Sequence, residues 1–152
     1  VYQTYRIFTD GSAIGNPGPG GWGVVLMQGP KRWELSGASP WTTVSEMELA
    51  AAIQALRTLP DRAQIELHSD SEYLIYGMRT FVLRWQQQGW RNRRGVRLQH
   101  RQLWAELLEL DARLRIRWIW LRGHNGHCDQ VRADALAYQA ARALWVRQKA
   151  AA

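Results

Sequence analysis

Two short strands that each run into an aspartate, with an amphipathic segment placed just before the second, restrict this chain more than any other feature. Tyr5-Arg6-Ile7-Phe8-Thr9 is apolar and β-branched and leads into Asp10-Gly11. Gln64-Ile65-Glu66-Leu67-His68-Ser69 alternates and leads into Asp70. From Val44 to Leu59, residues Leu49, Ala52, Ile53, Ala55, Leu56 and Leu59 fall on one broad helical face. Thr42-Thr43 is placed to cap that helix, and Pro60 to end it. A helix that feeds a strand is a crossover, so the second strand lies parallel to an earlier one in the same sheet. If that earlier strand is Tyr5–Thr9, Asp10 and Asp70 share the carboxyl edge, where open α/β sheets carry their sites. Alone, Asp10-Gly11 reads first as a turn pair, with a metal-binding carboxylate on a rigid element as the sharper alternative.

The other segments fit around this unit. Gly15-Asn16-Pro17-Gly18-Pro19-Gly20-Gly21 is a dense turn signal, and Trp22–Met27 reads as a strand that Pro30 breaks. Trp33, Leu35 and Gly37 alternate with Arg32, Glu34 and Ser36 as a third strand, giving an antiparallel meander. A short helix is expected from Ser71 to Met78, extended by Thr80–Gln88, and another from His100 to Asp111. A strand follows at Arg115–Leu121, then a polar loop at Gly123–Asp129. A last helix is expected from Gln130 to Trp145, with Lys149 and the alanines after it as a frayed tail. The order βββαβααβα predicts a single α/β domain over residues 1–152, a five-stranded mixed sheet with helices on both faces.

The helical wheels single out two further carboxylates. Glu48 lies on the edge of the apolar face of its helix, whereas Glu46 lies on the solvated face. Asp134 falls with Ala137, Tyr138, Ala141 and Trp145 on the packed face of the last helix, opposite Arg132, Gln139 and Arg142. A carboxylate aimed at a core needs a partner or a cation. Asp10, Glu48, Asp70 and Asp134 together resist ionisation unless divalent metal compensates, and oxygen-only ligands point to Mg²⁺ or Mn²⁺. Two such ions about 4 Å apart support in-line phosphoryl displacement. His124, just after a strand, suits a proton shuttle or is a surface loop histidine. Zinc at His124, His127 and Cys128 lacks a matching ligand pair elsewhere.

Charge points to the ligand class. The chain carries a formal net charge of +7, and 18 of its 20 basic residues are arginine. That favours a phosphate-rich partner, since guanidinium binds phosphate through a planar fork. From Tyr73 to Ala105 there are seven arginines and no acidic residue. This stretch is either a solvated loop or a phosphate-gripping protrusion at about residues 80–100. Trp85 and Trp90 then offer flat surfaces, and Arg91, Arg93 and Arg94 offer charge. The one cysteine, Cys128, allows no intrachain disulfide. No apolar run approaches the ~20 residues of a membrane span, and no signal-peptide pattern is seen. A soluble, cytoplasmic protein is expected.

Several motifs taken together resemble type 1 ribonuclease H over nearly the whole chain. They are Thr9-Asp10-Gly11-Ser12, the Gly15–Gly23 turn and strand, Met47-Glu48-Leu49, Ser69-Asp70-Ser71, Gly123-His124 through Gly126-His127, and Arg132-Ala133-Asp134. The resemblance implies a ribonuclease H-like fold and a bacterial-type, Mg²⁺-dependent endonuclease, with Mn²⁺ able to substitute. Such an enzyme cuts the RNA strand of RNA–DNA hybrids to leave 5′-phosphate and 3′-hydroxyl ends, and acts as a monomer without an obligate protein partner. It further implies that Asp10, Glu48, Asp70 and Asp134 hold two metals. His124 would help activate water or release product. Gly11, Asn16 and Thr43 would contact substrate, along with the aromatic and basic residues of the protrusion. The chain departs from the family pattern at Val44-Ser45-Glu46, where paired Asn is usual, and at Glu72, where Gln is frequent. Two other functions share the residue-level signals: a DNA endonuclease of the same fold, and a non-catalytic hybrid-binding module.

Overall fold

In the computed structural model, residues 3–123 and 126–152 are described. Five strands form one sheet in the order β3-β2-β1-β4-β5. β1 (Tyr5–Ala13), β2 (Gly18–Gln28) and β3 (Lys31–Thr42) are the antiparallel meander. α1 (Val44–Arg57) crosses over to β4 (Gln64–Ser69), which runs parallel to β1, and β5 (Arg115–Trp120) runs parallel to β4. The crossover inferred from the sequence is therefore the one observed.

The two sheet faces are covered differently. Ile7, Val24, Leu26, Ile65 and Leu67 bury one face against α1, with α4 (Arg101–Arg113) beyond it. On the other face α5 (Cys128–Ala151) packs across β1, β2 and β3. Its contact stripe is Ala133, Ala137 and Ala141, all fully buried. Gly21 and Gly23 of β2 make that approach possible. A Cβ on either would collide with the α5 backbone, at the carbonyls of Ala137 and Ala133 respectively.

Several expectations are corrected. β1 does not stop at Thr9: it continues to Ala13 because β2 goes on pairing with it, Asp10 opposite Gly23. Parallel pairing with β4 ends earlier, at Phe8 opposite His68, so Asp10 stands where β1 outruns its parallel neighbour. The glycine-rich turn is partly strand, because β2 starts at Gly18. β3 extends to Thr42 through Pro40, which an edge strand tolerates. The segment after Asp70 is α2 (Glu72–Tyr76), a π-helical turn (Gly77–Phe81) and α3 (Val82–Gln87). α5 runs to Ala151, so the tail is helical rather than frayed. Tyr138 is exposed, because the glycines of β2 select the alanine stripe rather than the larger residues beside it.

Candidate active site

Asp10 reaches the site from the middle of β1. The Gly11 N–H donates to its Oδ1 at 2.9 Å, which fixes the carboxyl against its own backbone. Gly11 also sets the distance to α1: a Cβ there would stand 2.5 Å from the Glu48 nitrogen and 2.7 Å from the Met47 carbonyl carbon. Only glycine lets the first turns of α1 come this close. That helix is capped by Thr43, whose Oγ1 accepts from the Glu46 N–H at 3.2 Å. Glu46 is not the ordinary solvated residue expected. It is partly buried, and its Oε2 accepts from the Thr42 hydroxyl at 2.6 Å. Glu48, two residues further on, is buried.

Asp70 follows the last residue of β4 in a turn held on three sides. The Ser71 N–H donates to Ser69 Oγ at 3.0 Å, Ser71 Oγ caps α2 by accepting from the Leu74 N–H at 3.2 Å, and Trp120 Nε1 donates to the Asp70 carbonyl at 3.3 Å. Carboxylate oxygens of Asp10, Glu48 and Asp70 all lie within 4.8 Å of one another. Asp134 is half-buried on α5 and outside that group, though its charge contributes to the field on Asp10. His124 lies outside the described residues.

Burial, then the charge of Asp70, pushes the Asp10 carboxyl up to about 6. Burial, then the neighbouring Asp10, holds Glu48 well above the usual carboxylate range. Neither is paired with a basic side chain among the described residues. Asp10 Oδ2 and Glu48 Oε2 are buried with no hydrogen-bond partner. Unpartnered buried carboxylate oxygens cost several kcal/mol per ion, on the order of the desolvation penalty for burying a charge. A hard divalent cation bound between them offsets that cost, so the donor set fits such an ion. A surface concavity of about 430 Å³ is lined by Gln3, Gln28, Arg62, Gln64 and Arg115 at the opposite end of the sheet and plays no part in this cluster.

The expected substrate contacts spread over two regions. Asn16 Oδ1 accepts from the Val44 N–H at 3.1 Å, tying the β1–β2 connection to the start of α1 beside Thr43. Arg91 and Arg97 form an isolated bridge, and Asn92 Oδ1 accepts from the N–H groups of Arg94 and Val96 at 2.9 and 3.0 Å. Arg91, Arg93 and Arg94 are exposed on this small hairpin, although Arg91 Nη1 also donates to the Gly95 carbonyl at 2.8 Å. Trp85 and Trp90 are half-buried against the core. Trp85 stacks on Phe81 with centroids 5.7 Å apart and meets Trp104 edge-on at 5.1 Å, so it also anchors the protrusion.

Reading the sequence missed a polar relay behind this hairpin. Trp104 Nε1 donates to Tyr73 Oη at 3.1 Å, and Tyr73 Oη is hydrogen-bonded to His100 Nδ1, also at 3.1 Å. The relay holds His100 where it lines a concavity together with Glu46, Arg97 and Arg101. No spacing rule joins residues 73, 100 and 104. The one local signal is His100 in the left-handed region at φ 61°, immediately before α4.

This arrangement meets independent likeness to known proteins. The sequence model of the RNase H family matches residues 2–142. The chain belongs to the RNase H family. It is therefore a metal-dependent endoribonuclease of that type. Ribonuclease H of Erythrobacter litoralis is 46% identical over 136 residues, covering 90% of this chain and 94% of that protein. The crystal structure of LC9-RNase H1, a type 1 RNase H with the type 2 active-site motif, superposes with a TM-score of 0.84 at 29% identity. That match covers 95% of this chain and 74% of that one. LC11-RNase H1 in complex with an RNA/DNA hybrid superposes with a TM-score of 0.66 at 25% identity, covering 91% of this chain and 96% of that one.

Proposed function

We propose that this RNase H chain hydrolyses the RNA strand of RNA–DNA hybrids at Asp10, Glu48, Asp70 and Asp134, leaving 5′-phosphate and 3′-hydroxyl ends. The observation that carries the reading is the cluster of Asp10, Glu48 and Asp70 oxygens within 4.8 Å, two of whose members have buried oxygens without partners. The cofactor is Mg²⁺, for which Mn²⁺ can substitute, because an all-oxygen set favours hard ions. When bound, a pair of such ions supplies the charge that orients water and stabilises the leaving oxygen of an in-line displacement.

The protein's own groups do the rest. Asp10 is the fixed ligand, immobilised by β1 and by the Gly11 N–H. Glu48 and Asp70 close on it from α1 and from the turn after β4, and Asp134 approaches from α5. His124 moves a proton at its imidazole, whose ordinary pKa near 6.5 suits the task. Gly11, Asn16 and Thr43 hold the hybrid near the start of α1, and Arg91, Arg93, Arg94, Trp85 and Trp90 hold it at the protrusion. Discrimination of RNA from DNA uses 2′-hydroxyl contacts. Residues 1–152 act as one catalytic domain, monomeric and cytoplasmic, a compartment consistent with a lone cysteine.

Cleavage of matched RNA–DNA, RNA–RNA and DNA–DNA duplexes tests this. Cutting confined to the RNA of the hybrid, dependent on Mg²⁺ and lost in Asp10→Asn, is expected. Preferential cutting of DNA duplex, or an Asp10→Asn variant as fast as the parent, would overturn it.

A further inference from the structure

α5 covers only part of its sheet face. Next to it, among the described residues, the same face is exposed at the start of β4 and β5, at Gln64, Arg115 and Arg117, while His68 further along β4 is buried against Phe8, and the register lays out what that exposed end displays. Arg6 of β1 stands beside Glu66, Glu66 beside Arg117, and Gln64 beside Arg115. Arg6, Arg115 and Arg117 are exposed and make no ion pair among the described residues. Among the described residues Glu66 comes no closer to a basic group than 4.0 Å, at His68 Nε2. This contrasts with the α5 side of the sheet, where Arg32 bonds Asp129 at 2.6 Å and Arg132 bonds Glu34 at 2.8 Å. Thr4, Gln64, Glu66, Arg115 and Arg117 line a shallow concavity of about 440 Å³. It adjoins the 430 Å³ concavity whose rim carries Arg62, the two sharing Gln64 and Arg115. Gln64 lies six residues before Asp70 on β4, roughly 20 Å along a strand at about 3.3 Å per residue.

We propose that this exposed end of the face is a second polynucleotide-binding surface, gripping the phosphodiester backbone of a nucleic-acid segment other than the one held at the carboxylates. Arg115 and Arg117 point the same way two residues apart, about 6.6 Å along the strand. That is close to twice the ~3.4 Å axial repeat of charge on one nucleic-acid strand. A row of guanidinium forks at a regular interval matches a repeating polyanion better than a single small anion. Gln64 and Thr4 add neutral donors beside the row. The surface binds by charge and holds no reacting group, so it serves retention on nucleic acid rather than cleavage. It does not depend on which strand the carboxylates cut.

Two measurements separate this surface from the catalytic one. The first is anisotropy of a labelled 20-base-pair DNA duplex over a range of salt, for the parent, R115Q/R117Q and R115K/R117K. The second is steady-state cleavage of a 10-base-pair hybrid by the same proteins. R115Q/R117Q is expected to weaken duplex binding about tenfold and to reduce the slope of log K against log salt by about 2, at roughly 0.9 per lost phosphate contact. Both parameters of short-hybrid cleavage should change less than twofold, and R115K/R117K should keep most of the binding. Duplex binding and slope equal to the parent's would overturn the proposal. So would a rise in hybrid KM that tracks the loss of duplex binding, because the row would then belong to the hybrid site. Failure of all three proteins to cut the hybrid would count against the proposed catalytic function and leave the binding result to be read by itself.

Discussion

Gly11 and Asp10 show how single atoms set the site. The missing Cβ at Gly11 is space that the backbone of Glu48 and Met47 occupies, and neither backbone atom can swing aside. Gly11→Ala is therefore expected to destabilise the fold by about 2 kcal/mol, the usual cost of overpacking. It should also lower kcat by moving Glu48. Thermal melts and cleavage kinetics check both, and a stable variant with full kcat would show that α1 shifts at no cost. At Asp10 the effect is electrostatic. The folded chain holds its carboxyl at about 6, against roughly 4 when unfolded. Between those values the folded state keeps a proton that the unfolded chain releases, so the contribution of Asp10 to metal-free stability falls as pH rises from about 4 to about 6 and is level above. Asp10→Asn removes this term. In chelator, the variant should melt higher than the parent at pH 7 and within a degree or so of it at about pH 4. Equal melting at both pH values would mean that the carboxyl ionises without penalty.

At the scale of elements, the start of α1 is the most heavily supported piece. Thr43 caps it, Asn16 bonds the Val44 N–H, and Glu46 is bonded by Thr42. Thr43→Ala should cost about 1 kcal/mol, as N-cap losses do. If Thr43 also touches the hybrid, KM should rise more than stability alone explains. A KM equal to the parent's would restrict Thr43 to capping. The π-helical turn at Gly77–Phe81 has a packing counterpart: a Cβ on Gly77 would strike the Trp104 ring. Trp104 is buried and bonds Tyr73, which in turn bonds His100. The element that carries the protrusion is thus keyed to α4 through one aromatic ring.

At the scale of the molecule, the carboxylates arrive from separate elements that only folding brings together. Binding of a divalent ion to them is therefore coupled to stability. Saturation with Mg²⁺ at about a hundred times Kd should stabilise the parent by roughly 2.7 kcal/mol, and Asp10→Asn should lose most of that gain. Melting curves with and without Mg²⁺ test it, and an equal gain in both proteins would place the ion elsewhere.

Much of this was legible in the chain of residues. Periodicity revealed the meander, the α1–β4 crossover and the shared edge of Asp10 and Asp70, because hydrophobic alternation and helical stripes are local properties. The inward aim of Glu48 followed from the same arithmetic. The limits were equally physical. Where β1 ends depends on which neighbour is still pairing with it, so Asp10 is mid-strand despite its turn-like sequence. An alanine-rich helix has no strong face of its own, so the glycines of β2, not the composition of α5, chose Ala133, Ala137 and Ala141 as the contact stripe and left Tyr138 exposed. The sequence by itself determined the order of elements and the inward aim of Glu48, since both are written in local pattern. Only the tertiary structure decided how closely Glu48 approaches Asp10, which aromatic rings lock the protrusion, and which part of a sheet face is left bare, since each depends on atoms that meet from distant parts of the chain.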